Sequence, residues 1–231
     1  MTATVFASAD EALEGIEDGA SIMVGGFVSA GTPSNLILAL KRRGTRDLTV
    51  MANNIGLGDK LDELCEDRQI AKAIVTFAIR ASAARPSRFE TQFRRGEVAL
   101  ELVPQGTFAE RIRAAGAGLG GFLTRTGIGT EIAETRETLT WEGEDWLLER
   151  PLRADVALLK AHRADRLGNL SYRLAGANFN PPMATAADLV IAEVEEIVEA
   201  GEIAPEAIGT PAVYVDRIVR CDPLEVRWDG R

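Results

Sequence analysis

Apolar positions follow two rhythms in the first half of the chain. "SIMVGGF", "DLTVMAN", "IAKAIVTFAI" and "VALELVP" are short, continuous apolar runs, the pattern of strands covered on both faces. Between them the apolar spacing becomes helical. Ser8 and Glu11 form a capping box before "EALEGIED", with Gly19 as its stop. Thr32 stands where it can cap "PSNLILALKRR", with Pro33 at the first helical position and Gly44 just past the end. "DKLDELCED", "SRFETQFRRG" and "TFAERIRAAG" complete the helical set, the last with a capping box at Thr107 and Glu110. Strands and helices in alternation predict βαβ crossovers and a parallel sheet with helices on both faces.

The second half reads differently. "ETLTWEGEDWLLER" predicts a hairpin turning at Glu142-Gly143, with Trp141 and Trp146 on its arms. "DVALLKAH" and "GNLSYRL" predict strands joined by a polar turn, "NPPMATAAD" a short helix, and "LVIAEVEEIV" and "AVYVDRIV" two more strands. The pattern suits a mixed, partly antiparallel continuation of the first sheet. No Gly-, Ser- or Pro-rich linker and no internal repeat divides the chain, so residues 1–231 are expected to form a single α/β domain. The polar tail, 221–231, is expected to be mobile.

Composition narrows the function classes. A formal net charge of −9 argues against a nucleic-acid footprint. No stretch approaches the roughly 20 apolar residues of a membrane span, and the N-terminus lacks the basic region of a secretory signal. The two cysteines, Cys65 and Cys221, suit a reducing compartment, and a cytoplasmic location is expected.

Candidate chemistry gathers where predicted strands end. Residues 25–35, "GGFVSAGTPSN", form a small-residue loop whose backbone N–H groups can approach a ligand, although a tight turn needs the same glycines. It has neither Walker nor GxGxxG spacing. Asn53 and Asn54 follow the next strand, where paired amides either bind a carbonyl or cap a turn. Gln105 follows another strand; a neutral amide is no base or nucleophile, but it can donate to an oxygen that gains charge, or simply tie its own turn. His162, the lone histidine, reads as a structural strand-end residue, and Glu193, Glu195, Glu196 and Glu199 as one exposed strand face. No histidine–cysteine set suits a metal, and no GxSxG elbow is present. These residues shape a crevice but supply no attacking group.

The runs "GGFVSAGTPSNLI", "NN", "LVPQGTFAERIRAAGAG", "TRTGIGT", "KAHRADRLGNLSYR", "NFNPPMATAAD" and "TPAVYVDRIV" resemble, in order and spacing, the A (alpha) subunit of 3-oxoacid CoA-transferases, over residues 5–219. The combination is most like the succinyl-CoA:3-oxoacid and 3-oxoadipate types. The resemblance implies the CoA-transferase fold, shared with sugar-phosphate isomerases, and transfer of coenzyme A from an acyl-CoA to a free acid. It implies no tightly bound cofactor, coenzyme A thioester being a substrate. It also implies a B subunit, in a heterodimer or a dimer of heterodimers, that supplies the nucleophilic glutamate from a Glu-Asn-Gly motif absent from this chain. Gln105 then positions that glutamate or stabilises the oxyanion, and Gly25, Gly26, Phe27, Gly31, Asn53 and Asn54 line the cleft. Two positions depart from the family pattern. Val28 replaces a glycine, and residues 77–90 carry Arg80, Arg85 and Arg88, which either bind a second substrate carboxylate or flank a helix in solvent. Two rival readings are a sugar-phosphate isomerase and a non-catalytic acyl-CoA-binding protein of the same fold.

Overall fold

The computed structural model describes residues 2–56, 59–78 and 85–224. In chain order, β1 (Thr4–Phe6), α1 (Ala9–Ala12), β2 (Ser21–Val24), α2 (Ser34–Arg43), β3 (Leu48–Asn54), β4 (Ile70–Phe77), α3 (Arg88–Arg94), β5 (Ala99–Leu102) and α4 (Gln105–Gly116) make the first half. There follow β6 (Phe122–Thr124), α5 (Glu131–Glu134), β7 (Glu137–Trp141), β8 (Glu144–Glu149), β9 (Ala154–Asp165), β10 (Leu170–Ser171), α6 (Asn180–Ala184), β11 (Ala187–Val198) and β12 (Arg217–Arg220).

The main sheet runs β1-β12-β11-β9-β2-β3-β4-β5, every neighbouring pair parallel, with β10 antiparallel to β9. Its central strands point apolar residues to both faces. Ile22, Val24, Val50, Ala52, Val75 and Leu158 pack under α2 through Leu36, Ile37 and Leu40. The alternate positions, Met23, Met51, Ile74, Ala157 and Leu159, pack under α4 and α6 through Phe108, Ile112 and Met183. Burying one such side chain contributes about 1.5–3 kcal/mol, so continuous apolar strands are stable only when covered twice. Phe108 and Phe179 meet edge to face, their ring centroids 5.6 Å apart.

The hairpin forms as expected, turning through Glu142 (φ 53°) and Gly143 (φ 78°), the pair of positive φ values that a two-residue turn needs. It does not extend the main sheet. β6, β8 and β7 form a separate three-stranded sheet, clamped to β5 and α4 by charge. Arg111 reaches Glu101 at 2.9 Å and the Arg150 carbonyl at 2.9 Å, while Arg136 bridges Glu101 (3.1 Å) and the buried Glu149 (3.2 Å).

Several helix boundaries differ from expectation. The first helix stops at Leu13, well before Gly19, because Gly15 turns the chain at φ 85°. "DKLDELCED" makes only a 3₁₀ turn, Leu61–Glu63, between Lys60 (φ 65°) and Arg68 (φ 53°), which both leave helical backbone. α4 begins at Gln105, so Thr107 lies inside the helix, buried, and caps nothing. β10 keeps two residues of "GNLSYRL", and "AVYVDRIV" is a 3₁₀ turn, Ala212–Tyr214, before the short β12. Residues 225–231 of the tail lie outside the described residues.

Candidate active site

Because the long strands run parallel, β2, β3 and β5 all end at one edge of the sheet, where ligands bind in open α/β folds. The glycine loop leaves β2 there. Phe27 and Ala30 exchange backbone hydrogen bonds of 2.9 and 3.0 Å, closing a tight turn through Val28 and Ser29. Val28 sits at φ 56°, in left-handed backbone that costs a β-branched residue on the order of 1–3 kcal/mol. Its N–H donates to Asn54 Oδ1 at 2.7 Å, and its carbonyl accepts from Thr32 Oγ1 at 2.9 Å. Thr32 is thus spent on the loop and does not cap α2.

The cap of α2 comes from β11, two strands away from β2 in the sheet. The Asn35 and Leu36 N–H groups donate to Glu193 Oε2 at 2.8 and 3.0 Å, and Asn35 Nδ2 donates to Oε1 at 3.2 Å. A carboxylate at a helix N-terminus is favourable by up to about 2 kcal/mol in a partly buried setting. Glu193 is 1% exposed, not on an open strand face as its alternating neighbours suggested. Desolvation pushes its carboxyl pKa up, opposed by the charge of Lys160 and the hydrogen bonds from α2.

An amide chain runs along the edge. Gln105 Nε2 donates to Asn53 Oδ1 (2.8 Å), Asn53 Nδ2 to Asn54 Oδ1 (3.0 Å), and Asn54 Nδ2 to Asp59 Oδ2 (2.6 Å). Asp59 Oδ1 also accepts from the Gly56 and Leu61 N–H groups at 3.3 and 3.0 Å. A carboxylate only accepts, so Asp59 dictates which way Asn54 points, Asn54 dictates Asn53, and Asn53 dictates Gln105. Asn53 (1% exposed) and Asn54 (3%) are sealed in, whereas Gln105 is half-buried and Phe27 is exposed. The buried asparagines therefore support the loop and the helix start, and Gln105 is the amide at the surface end of the chain.

Two further asparagines tie the loop to the opposite side. Asn178 accepts from the Gly26 N–H (3.1 Å) and donates to the Ala30 carbonyl (2.9 Å). Asn180 donates to the Gly31 and Gly176 carbonyls at 2.9 Å each and accepts from the Lys160 N–H at 3.0 Å. A Cβ on Gly25 would stand 1.9 Å from Asn180 Oδ1, and one on Gly31 2.4 Å from the Gly176 carbonyl. Those glycines are required by close packing. Asn178, Asn180, Asp59 and Glu193 do not stand out in the sequence as loop supports. The two asparagines alternate just before Pro181-Pro182, which is a capping signal, but their partners lie some 150 residues away.

Of the predicted arginines, Arg88 pairs with acids outside this set. Arg88 is within 3.7 Å of Asp62 and 3.9 Å of Glu66, at the start of α3. Arg85 is exposed, and Arg80 lies outside the described residues. His162 lies within β9, short of its end, with Nδ1 2.9 Å from Glu195 Oε2. Among the described residues no group of three or more histidines, cysteines or acids could hold a metal ion, and no helix is long and apolar enough to cross a membrane.

A parallel α/β sheet with a glycine loop and an oriented amide chain at its carboxyl edge defines an α/β protein with a candidate site at that edge. Comparison with known proteins makes the class specific. Residues 6–220 match the coenzyme A transferase family, and the chain belongs to that family. It is 47% identical to the A subunit of the succinyl-CoA:3-ketoacid coenzyme A transferase of Xanthomonas campestris pv. campestris, over 98% of this chain and 92% of that one. It is also 47% identical to the A subunit of the 3-oxoadipate CoA-transferase of Pseudomonas putida, over 95% and 94%. With the alpha subunit of the Escherichia coli acetate CoA-transferase it shares 48%, over 87% and 90%. Among solved structures, the decarboxylase AibA/AibB superimposes with a TM-score of 0.83 at 29% identity, covering 99% of this chain and 87% of that one. Glutaconate coenzyme A-transferase of Acidaminococcus fermentans gives 0.82 at 22%, over 94% and 75%, which speaks for the fold.

Proposed function

We propose that the chain is, as one domain, the A subunit of a cytoplasmic 3-oxoacid CoA-transferase, and that a separate B subunit brings the nucleophile to the carboxyl edge of its sheet. The observation that carries this reading is the state of the local carboxylates. Asp59 and Glu193, next to the loop, are both buried and engaged by backbone N–H groups, so neither is placed to attack a thioester. What the edge offers is donors: the oriented Gln105 amide and the strained loop beside exposed Phe27.

In this reading the partner's glutamate carboxylate attacks the thioester carbonyl of the acyl-CoA, the C–S bond breaks, and an acyl–glutamyl anhydride and CoA thiolate form. The thiolate then attacks the glutamyl carbonyl of the anhydride, releasing the donor acid and leaving a glutamyl–CoA thioester. The acceptor acid carries out the same two steps in reverse. Each attack puts negative charge on a carbonyl oxygen, and the remaining Nε2–H of Gln105 is the donor assigned to it or to positioning the glutamate. Asn53 holds the other Nε2–H, so the side chain arrives pre-oriented.

The test is Gln105→Ala in the complex reconstituted with a B subunit. Turnover at saturating substrate should fall on the order of 10²–10³-fold, the usual cost of one lost oxyanion donor. Wild-type turnover in an intact complex removes the role. Normal transfer by this chain without any partner refutes the two-subunit reading.

A further inference from the structure

The glycine loop carries one residue that local sterics argue against. Residues 27–30 close a tight turn by paired backbone hydrogen bonds, and the turn sets Val28 at φ 56°. Glycine takes that backbone freely and asparagine or aspartate tolerates it, whereas a β-branched side chain is crowded by the adjoining backbone. The main-chain bonds of Val28 need no side chain: its N–H donates to Asn54 Oδ1 and its carbonyl accepts from Thr32 Oγ1. Glycine would make both without strain. Residues held in such backbone cluster at functional sites, where the surroundings over-determine them.

The core gives the isopropyl group no role. Val28 is half-buried, yet it belongs to neither of the apolar clusters that cover the two faces of the sheet. The inner side of the loop has no room for it. A Cβ on Gly25 would meet Asn180 Oδ1 at 1.9 Å, one on Gly26 would meet Thr32 Oγ1 at 2.2 Å, and one on Gly31 the Gly176 carbonyl at 2.4 Å. What adjoins Val28 is the candidate site. Asn54 Oδ1 accepts from both the Val28 N–H and Asn53 Nδ2, and Asn53 takes the Gln105 amide. Val28 thus stands at one end of a hydrogen-bonded chain whose other end is Gln105, and its neighbour Phe27 is 44% exposed at the same edge.

We infer that the Val28 side chain is a specificity-determining group at the mouth of the site, selecting acids that are unbranched at the carbon next to the carboxyl group. This rests on the CoA-transferase reading and says which acids that site admits. Gln105 is assigned to the reacting carbonyl oxygen, so a side chain that narrows the space near Gln105 is felt first by substituents on the adjoining carbon. An apolar wall discriminates by about 10–200-fold for each methylene it must accommodate. The two methyl groups of valine are enough for such a wall, and the loop carries them at the expense of its own backbone.

In the reconstituted complex, kcat/KM is compared for acetoacetate and 2-methylacetoacetate with succinyl-CoA as the donor. Wild type should prefer acetoacetate, and the preference should fall at least tenfold in both Val28→Ala and Val28→Gly. Alanine removes the methyl groups and keeps a side chain on left-handed backbone; glycine removes both. A preference unchanged in the two variants, or reduced in glycine alone, overturns the side-chain role. Tm gives an independent readout. In Val28→Gly it should hold or rise, because strain is relieved; a fall would make Val28 a packing residue and overturn the inference. A third measurement needs no turnover. The two acids are titrated with the complex while broadening of their own proton signals is followed by NMR, and wild type should bind the unbranched acid selectively where Val28→Ala does not. Equal binding by wild type overturns the inference. If that selection is seen in a complex that moves no coenzyme A, the role of Val28 stands and the transferase reading falls.

Discussion

At the scale of single residues, the edge of the sheet is governed by the polarity of one carboxylate. Asp59 is 2% exposed, and its Oδ2 takes the Asn54 amide at 2.6 Å. Replacing it by asparagine keeps the shape and removes the obligation. If the new amide keeps its oxygen on the Gly56 and Leu61 N–H groups, its NH₂ faces the Asn54 NH₂. If Asn54 then turns over, its NH₂ confronts the Val28 N–H instead. One donor–donor conflict remains either way, costing about 1–3 kcal/mol. Asp59→Asn should therefore lower the unfolding free energy by that amount in urea titration. It should also cost turnover through Gln105, so that Asp59→Asn in a Gln105→Ala background lowers kcat little further. An unchanged urea midpoint, or additive losses of kcat, contradicts the relay. Val28 shows a related limit. In the sequence it is a departure from a glycine position, and its φ of 56° supplies the physical reason glycine suits the site.

Among the elements, legibility follows how local the determining forces are. Although β5, at the sheet edge, is not covered on both faces as its apolar run suggested, Leu102 being 51% exposed, the strands β2, β3, β4 and β5 and the Glu142-Gly143 hairpin are readable because apolar pattern and turn chemistry settle them within a few residues. Helix starts are not. Thr32 and Thr107 have the character of caps, but Pro33 precedes the first residue of α2, and α2 is capped by Glu193, on a strand that forms much later in the chain. Gln105 illustrates the middle case: its strand-end position is legible, while its partner Asn53 is 52 residues away. The docking of α4 carries a prediction at this scale. Gly116 packs its Cα against the end of α6, and a Cβ there would stand 1.9 Å from Thr185 Oγ1 and 3.2 Å from the Thr185 carbonyl. Alanine would ordinarily favour a helix by about 1 kcal/mol over glycine. Here the clash should reverse the sign, and Gly116→Ala should lower Tm. Gly96→Ala is a poor control because Gly96 has φ 72°; Gly106, in the same helix with open space around it, is the right one, and Gly106→Ala should not destabilise. If both substitutions raise Tm, the close approach of α4 and α6 does not constrain the fold.

For the molecule as a whole, the junction between the two sheets decides how the protein meets acid. Glu101, on the edge strand β5, is bound by Lys72 at 2.9 Å and Arg111 at 2.9 Å, with Arg136 at 3.1 Å. Desolvation pushes its carboxyl upward, but the hydrogen bonds from Lys72 and Arg111 outweigh it and hold the pKa down at about 2, against an ordinary 4.5. The folded protein thus keeps this charge where the unfolded chain has already taken up a proton. The resulting stability is complete above the unfolded value of 4.5, declines as pH falls below it, and is gone once pH passes the folded value near 2. Acid also removes the excess negative charge behind the net −9, which changes self-repulsion across the whole surface. The two effects separate in a Glu101→Gln variant, which leaves surface titration nearly intact and deletes the local one. Its urea stability should be lower than wild type at neutral pH, and the gap should narrow steadily between pH 4.5 and 2. A gap that stays constant through that window would mean the junction is held by the packing of Leu147 and its neighbours, with the charges along for solubility. A gap that closes means that the small sheet is fastened to the large one by ionised carboxylates, and acid should loosen that end of the molecule before the doubly covered core.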